Sequence, residues 1–197
     1  MLRALVDAGV QPDLVLGTSI GAFNGAVFAA DPTAAGLERL DRLWADVAAA
    51  DLLGARPVDR ARTLFRLRVA IQDPQPLRDL LTRTLDVVSI EDLPVPFQCV
   101  AASIEDAAEQ WFDRGPIVDA LLASSAVPAL FPPVEIDGRH YYDGGLVNSV
   151  PVDRAIELGA TTVYVMQVGR LEQPLRPPER FYETALISFE IARRHRF

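Results

Sequence analysis

Gly17-Thr18-Ser19-Ile20-Gly21 has the spacing G-x-S-x-G, which chemistry requires when a serine hydroxyl must act as a nucleophile. The serine then sits on a strained turn between a strand and a helix, and side chains two residues to either side would crowd it. The turn exposes Oγ at the carboxyl edge of a sheet and sets it at a helix N-terminus. Free amides there, beginning with that of Ile20, point toward developing negative charge. An ordinary glycine-rich turn is the alternative. The context favours the nucleophile, because the apolar run Leu14-Val15-Leu16 precedes the motif and small helix-compatible residues follow it.

A serine hydroxyl needs a base. The chain has two histidines. His140 falls in an expected hairpin strand between Arg139 and two tyrosines, and His195 falls in Arg193-Arg194-His195-Arg196, where three cations disfavour imidazolium. Both read as structural or surface groups. Asp143 ends the hairpin strand and is followed by Gly144-Gly145, which permits a turn and close approach of another backbone. From the residues alone it is equally a base and a turn aspartate.

The elements that position these residues follow from periodicity and turn chemistry. Leu2, Leu5 and Val6 share one face of a short helix that Gly9 ends. Residues 13–17 read as a strand buried on both faces, and residues 20–30 as the helix after the sharp turn. A further helix carries Leu37, Leu40, Trp44 and Val47, and two more are expected over residues 59–71 and 77–85. The first of these two, with Arg60, Arg62, Arg66 and Arg68, reads as a solvated face rather than a lid. Strands are expected over residues 97–103, 109–113 and 162–168. Residues 134–136 and 139–142 form a hairpin across Asp137-Gly138, a pair suited to a tight primed turn. Helices close the reading at residues 117–125, at 151–158 with Gly159 ending it, and from about Pro178. Alternating strands and helices imply α/β layers. One domain over residues 1–197 fits the length.

Composition narrows the function classes. The net charge of −8 argues against nucleic acid, whose phosphates need a basic footprint. All 19 basic residues are arginine, which excludes a Walker phosphate loop, Schiff-base chemistry and a Ser-Lys dyad. Cys99 is the only cysteine, so an intrachain disulfide and a cysteine-based zinc cluster are excluded, and scattered acidic residues give no sign of a metal. No cofactor is expected. No apolar run reaches the length of a membrane span, and the N-terminus lacks signal-peptide features. The expectation is a cytoplasmic protein, able to meet a membrane surface peripherally through apolar contacts.

Gly17–Gly21, with Ala22-Phe23-Asn24-Gly25-Ala26 after it, resembles the nucleophile block of the patatin-like phospholipases. Asp143-Gly144-Gly145 resembles their second catalytic block, and Leu146-Val147-Asn148-Ser149-Val150-Pro151 extends it. Residues 123–133 resemble a third block that packs beside the site. The resemblance spans nearly the whole chain in the right order. It implies a three-layer α/β/α fold with a mostly parallel central sheet and a Ser19–Asp143 dyad without histidine. Thr18, Ile20, Gly21, Gly144 and Gly145 would support the site, and a fatty-acyl ester of a lipid would be cleaved through an acyl-enzyme. A dry pocket that raises the basicity of Asp143 is expected.

The departure from the family pattern is at the start. Members begin with a strand and a glycine-rich loop that supplies oxyanion amides, followed by a helix resembling residues 1–9 here. The expectation is that Met1 is an internal methionine of a longer protein, with that strand and loop missing and a neighbouring strand left with an unpaired edge. Two other readings stand beside the hydrolase: a non-catalytic binding or regulatory module on the same fold, and an α/β-hydrolase esterase with a triad of Ser19, an aspartate and His195.

Overall fold

The computed structural model describes residues 1–49, 70–167 and 174–195. Helix α1 (Leu2–Asp7) ends at Gly9, whose φ of 72° suits a residue without Cβ. Strand β1 (Val15–Thr18) then leads through Ser19 directly into helix α2 (Ile20–Ala30). Small residues let α2 approach β1 closely: Ala22, Gly25, Ala26 and Ala29 are all buried. Helix α3 (Ala34–Ala49) lies behind α2, tied to it where Trp44 Nε1 donates to Asn24 Oδ1 at 2.7 Å. Helix α4 (Gln75–Thr84) continues that layer. The chain then enters strand β2 (Phe97–Ser103), turns into β3 (Ala108–Phe112), and forms helix α5 (Ile117–Ser124). Strands β4 (Val134–Ile136) and β5 (Arg139–Asp143) make the hairpin. Asp137 and Gly138 both have positive φ, 51° and 76°, as a primed turn demands. Helices α6 (Val152–Glu157) and α7 (Phe181–His195) follow.

The fold is α/β/α. Its sheet is organised around β2, which is buried along nearly its whole length. β3 pairs antiparallel with residues 99–103 of β2. β1 pairs parallel with residues 97–100, and β5 pairs antiparallel with residues 101–103. A strand has two edges, and the β3 ladder overlaps both other ladders. β1 and β5 therefore share the second edge of β2 and meet end to end along it. The expected parallel pairing is that of β1 with β2; the other described pairs are antiparallel, β2 with β3 and β4 with β5 across short turns, and β2 with β5 across the intervening β3, α5 and β4. The core unites α2 to α5 against one face of the sheet, with Phe23, Val27, Leu43, Leu81 and Leu121 buried there.

Three expectations need correction or fall outside the described residues. Residues 162–167 are not a strand: Val163, Tyr164, Val165 and Met166 are 39–57% exposed. Their continuous apolar run has no ladder partner among the described residues, and a strand pattern without a neighbouring edge has nothing to pair its amides. The first strand begins at Val15 rather than residue 13, and Val15 and Leu16 are only partly buried, because β1 is paired on one side among the described residues. The helix expected at residues 59–71 lies outside the described residues as far as 69. Ala70 forms a parallel bridge to Ala129 and is not helical.

Candidate active site

Ser19 occupies the N-cap position of α2 with φ 55° and ψ −126°, a strained conformation for a residue with a side chain. Its side chain makes no cap bond, which leaves Oγ free. Gly17 must be glycine, because a Cβ there would lie 2.5 Å from the Ala22 Cα and 2.7 Å from the Gly21 carbonyl oxygen. Gly21 differs from the expectation. A Cβ at that position meets nothing within 4 Å among the described residues, since Gly21 is exposed on the first turn of α2. The two glycines of the motif are thus not sterically equivalent.

The shared edge of β2 explains how the aspartate reaches the serine. Thr18, the last residue of β1, pairs with Val100, and Asp143, the last residue of β5, pairs with Ala101. Two strands arriving from opposite directions end opposite adjacent residues, so Ser19 and Asp143 face each other across the seam. Ser19 Oγ donates to Asp143 Oδ2 at 2.6 Å. The other carboxylate oxygen, Oδ1, accepts the Gly145 amide at 2.7 Å. Gly144 lets the turn fit under β2, since a Cβ there would lie 2.2 Å from the Val100 carbonyl oxygen. Thr18 Oγ1 donates to the Asn148 carbonyl at 2.9 Å and pins the end of β1 to the loop beyond Gly145.

Asp143 is fully buried, and burial pushes its carboxyl up from 3.8 to about 7. The Ser19 hydroxyl, the Gly145 amide and the Arg193 guanidinium oppose that rise, and Glu190 adds to it. Removing a carboxylate from water penalises its charged form, which strengthens it as a base. A group with that affinity takes up a proton and releases it near neutral pH.

Residues 124–126 hold both members of the pair, a role that the sequence reading did not assign to them. The Ser19 amide donates to Ser124 Oγ at 3.0 Å, and the Asp143 amide donates to the Ala126 carbonyl at 3.0 Å. Ser124 is completely buried. The signal available in sequence was the resemblance of residues 123–133 to a block that packs beside the site; which atom bonds to Ser19 depends on how α5 ends against α2.

His140 is elsewhere. His140 Nδ1 lies 2.8 Å from Glu105 Oε1, and the His140 amide donates to the same carboxylate on the outer part of the hairpin. His195 is the last residue of α7. The Ser19 hydroxyl bonds to the Asp143 carboxylate, in the place where a triad would have an imidazole.

A patatin-like phospholipase family model matches residues 1–156, about four-fifths of the chain. The chain belongs to the patatin-like phospholipase family. It is 30% identical over 182 residues to an uncharacterized NTE family protein of Mycobacterium tuberculosis, which covers 91% of this chain and 47% of that protein. It is 31% identical over 175 residues to patatin-like phospholipase domain-containing protein 6 of Homo sapiens, covering 88% of this chain and 12% of the relative. This patatin-like chain therefore spans under half the length of the curated relatives it matches. The α7 helix lies beyond the stretch that the family model covers. Among the described residues, no helix is long and apolar enough to cross a membrane.

Proposed function

We propose that this chain is the catalytic part of a lipid acyl hydrolase, in which Ser19 attacks a fatty-acyl ester and Asp143 moves the proton. The observation that carries the reading is the 2.6 Å bond from Ser19 Oγ to a carboxylate that is fully buried. Attack on the acyl carbon transfers the Ser19 hydroxyl proton to Asp143 Oδ2. The ester carbonyl becomes an oxyanion beside the first amides of α2. Among the described residues, those of Ile20 and Gly21 are the ones left over there, since the Ala22 and Phe23 amides both bond to the Ser19 carbonyl. Collapse of the tetrahedral intermediate expels the alcohol, which takes the proton from Asp143, and leaves an acyl-Ser19 ester. Water then gives a proton to Asp143 as it attacks that ester, and collapse returns the proton to Ser19. No metal or cofactor enters any step. The substrate class is a phospholipid or lysophospholipid, met at a membrane surface or in a micelle, which fits the family.

The test is covalent labelling with a fluorophosphonate together with hydrolysis of a p-nitrophenyl acyl ester. The expected result is one label per chain, on Ser19, lost in Ser19→Ala along with hydrolysis. The rate should rise with pH to a plateau, with a midpoint near the Asp143 value of about 7, because only the ionised carboxylate accepts the proton. Undiminished labelling or hydrolysis in Ser19→Ala overturns the proposal.

A further inference from the structure

Helix α7 reaches the back of the Asp143–Gly145 turn from outside the stretch that the family model covers. Phe189 on this helix is buried, at 7% exposure, and a Cβ added to Gly145 would lie 3.1 Å from the Phe189 ring. The ring therefore covers the turn whose amide bonds to Asp143 Oδ1. The end of α7 is tied to the same loop. Ser149 Oγ lies within hydrogen-bonding distance of both the Gly145 carbonyl, at 3.1 Å, and the Arg193 carbonyl, at 3.2 Å. On the same helix, Arg193 holds Glu190 through two bonds, Nε to Oε1 at 3.3 Å and Nη2 to Oε2 at 2.8 Å. Arg194 Nε lies 3.6 Å from Glu190 Oε2.

We propose that α7 is a working part of the dyad: Phe189 closes the turn behind Asp143 against water, and the Glu190–Arg193 pair sets the charge felt by the Asp143 carboxylate. These are positioning residues, since none of them meets the ester. The inference deepens the hydrolase reading and rests on it. Its physical basis is that a buried carboxylate responds to two things, the water that can reach it and the charges nearby. Among the described residues, the Arg193 guanidinium lowers the proton affinity of Asp143 and the Glu190 carboxylate raises it, and the Ser149 hydroxyl between the Gly145 and Arg193 carbonyls holds that part of α7 against the turn. The other backbone packed around it, at Val100, Ala101, Ala126, Gly144 and Gly145, carries no ionisable side chain. Burial and the Ser19 and Gly145 bonds act on the carboxylate first, and α7 adjusts base strength on top of them, from a segment that can vary without altering the motifs at Ser19 and Asp143.

The experiment is a carbon-13 NMR titration of the Asp143 carboxyl in the whole chain, assigned by its disappearance in Asp143→Asn, with the pH–rate profile of ester hydrolysis measured in parallel. Phe189→Ala is expected to lower the titration midpoint toward that of an ordinary carboxylate, and Phe189→Leu to restore most of it. Arg193→Met is expected to raise the midpoint, Glu190→Gln to lower it, and the double variant to return it close to the parent. Loss of packing alone would move both charge variants the same way, so the opposite signs are the discriminating result. The two charge variants keep the covering ring and leave the fold intact if Phe189→Ala does not. Titration of all the variants with the parent, or a shift of both charge variants in one direction, overturns the proposal. The titration reads Asp143 without turnover. A chain that does not hydrolyse esters yet shows the opposite shifts would sink the hydrolase reading and leave the electrostatic role of α7 standing.

Discussion

Replacing Asp143 by asparagine separates the proposed catalytic use of the buried carboxylate from what it costs the fold. The side chain keeps its size, and both hydrogen bonds can be retained. The amide oxygen accepts from the Gly145 amide as Oδ1 does now, and the amide nitrogen donates to Ser19 Oγ, whose hydroxyl turns to accept. Only the charge is lost. In the unfolded chain an aspartate ionises at 3.8, and in the fold Asp143 ionises at about 7. The folded state thus binds the proton more tightly by about three decades, equivalent to about 4 kcal/mol at 1.36 kcal/mol per decade.

The sign follows from which state holds the proton. Below the unfolded value both states are protonated, and the carboxyl costs nothing extra. Between that value and about 7 the unfolded chain has released its proton while the folded chain keeps it, so stability falls as pH rises. Above about 7 both are ionised, and the loss stays constant. Asparagine has no such dependence, and other titrating groups cancel in the difference between the two proteins. Asp143→Asn is therefore expected to be more stable than the parent, by a margin that widens by about 2–3 kcal/mol between pH 5 and pH 8 and is flat beyond. Urea unfolding at several pH values, with the slope checked to be the same for both proteins, measures it. A margin independent of pH would refute the reasoning, since it would mean that Asp143 ionises alike folded and unfolded.

Two further outcomes follow from the geometry. Gly17→Ala drives a Cβ to 2.5 Å from the Ala22 Cα, and backbone cannot move aside cheaply, so a loss of at least about 2 kcal/mol is expected; Gly21→Ala, with nothing within 4 Å, should leave stability unchanged or raise it by up to about 1 kcal/mol. Equal unfolding midpoints for the two alanine variants would contradict this. Ser124→Ala removes the acceptor of the Ser19 amide at 3.0 Å, with an expected loss of about 1–3 kcal/mol and a fall in kcat larger than any change in KM, because the strained Ser19 backbone relaxes away from Asp143. Loss of stability with kcat per folded molecule unchanged would reduce Ser124 to a packing residue.

What could be read in the sequence was what is written locally. Asp137-Gly138 specifies its turn through two positive φ values, and Gly9 and Gly159 end their helices the same way, at 72° and 87°. Gly17-Thr18-Ser19 encodes its own strain, because the strand, the turn and the helix are consecutive. The failures are non-local. Residues 163–166 form a continuous apolar run like a buried strand, yet a strand exists only against a partner edge, and no residue of that segment says whether one is present. Gly21 was grouped with Gly17 by motif symmetry, although one faces the packed side of the elbow and the other faces outward. Ser124 gave no sign of its bond to the Ser19 amide because the two lie 105 residues apart in the chain. The same applies to Phe189, whose contact with Gly145 crosses more than forty positions.

The arrangement also accounts for how the proposed dyad would do without an imidazole. A triad places a histidine between nucleophile and carboxylate, because those groups normally arrive on separate loops and a ring must bridge them. Here the ends of β1 and β5 meet opposite neighbouring residues of β2, and the gap that an imidazole would fill does not exist. Direct contact leaves the chemistry with a carboxylate whose ordinary affinity for protons is far too weak. Burial supplies the missing basicity, and the fold loses stability in the same measure. The residues that complete that burial sit partly on α7, so the strength of the base is a property of the whole chain rather than of its two motifs.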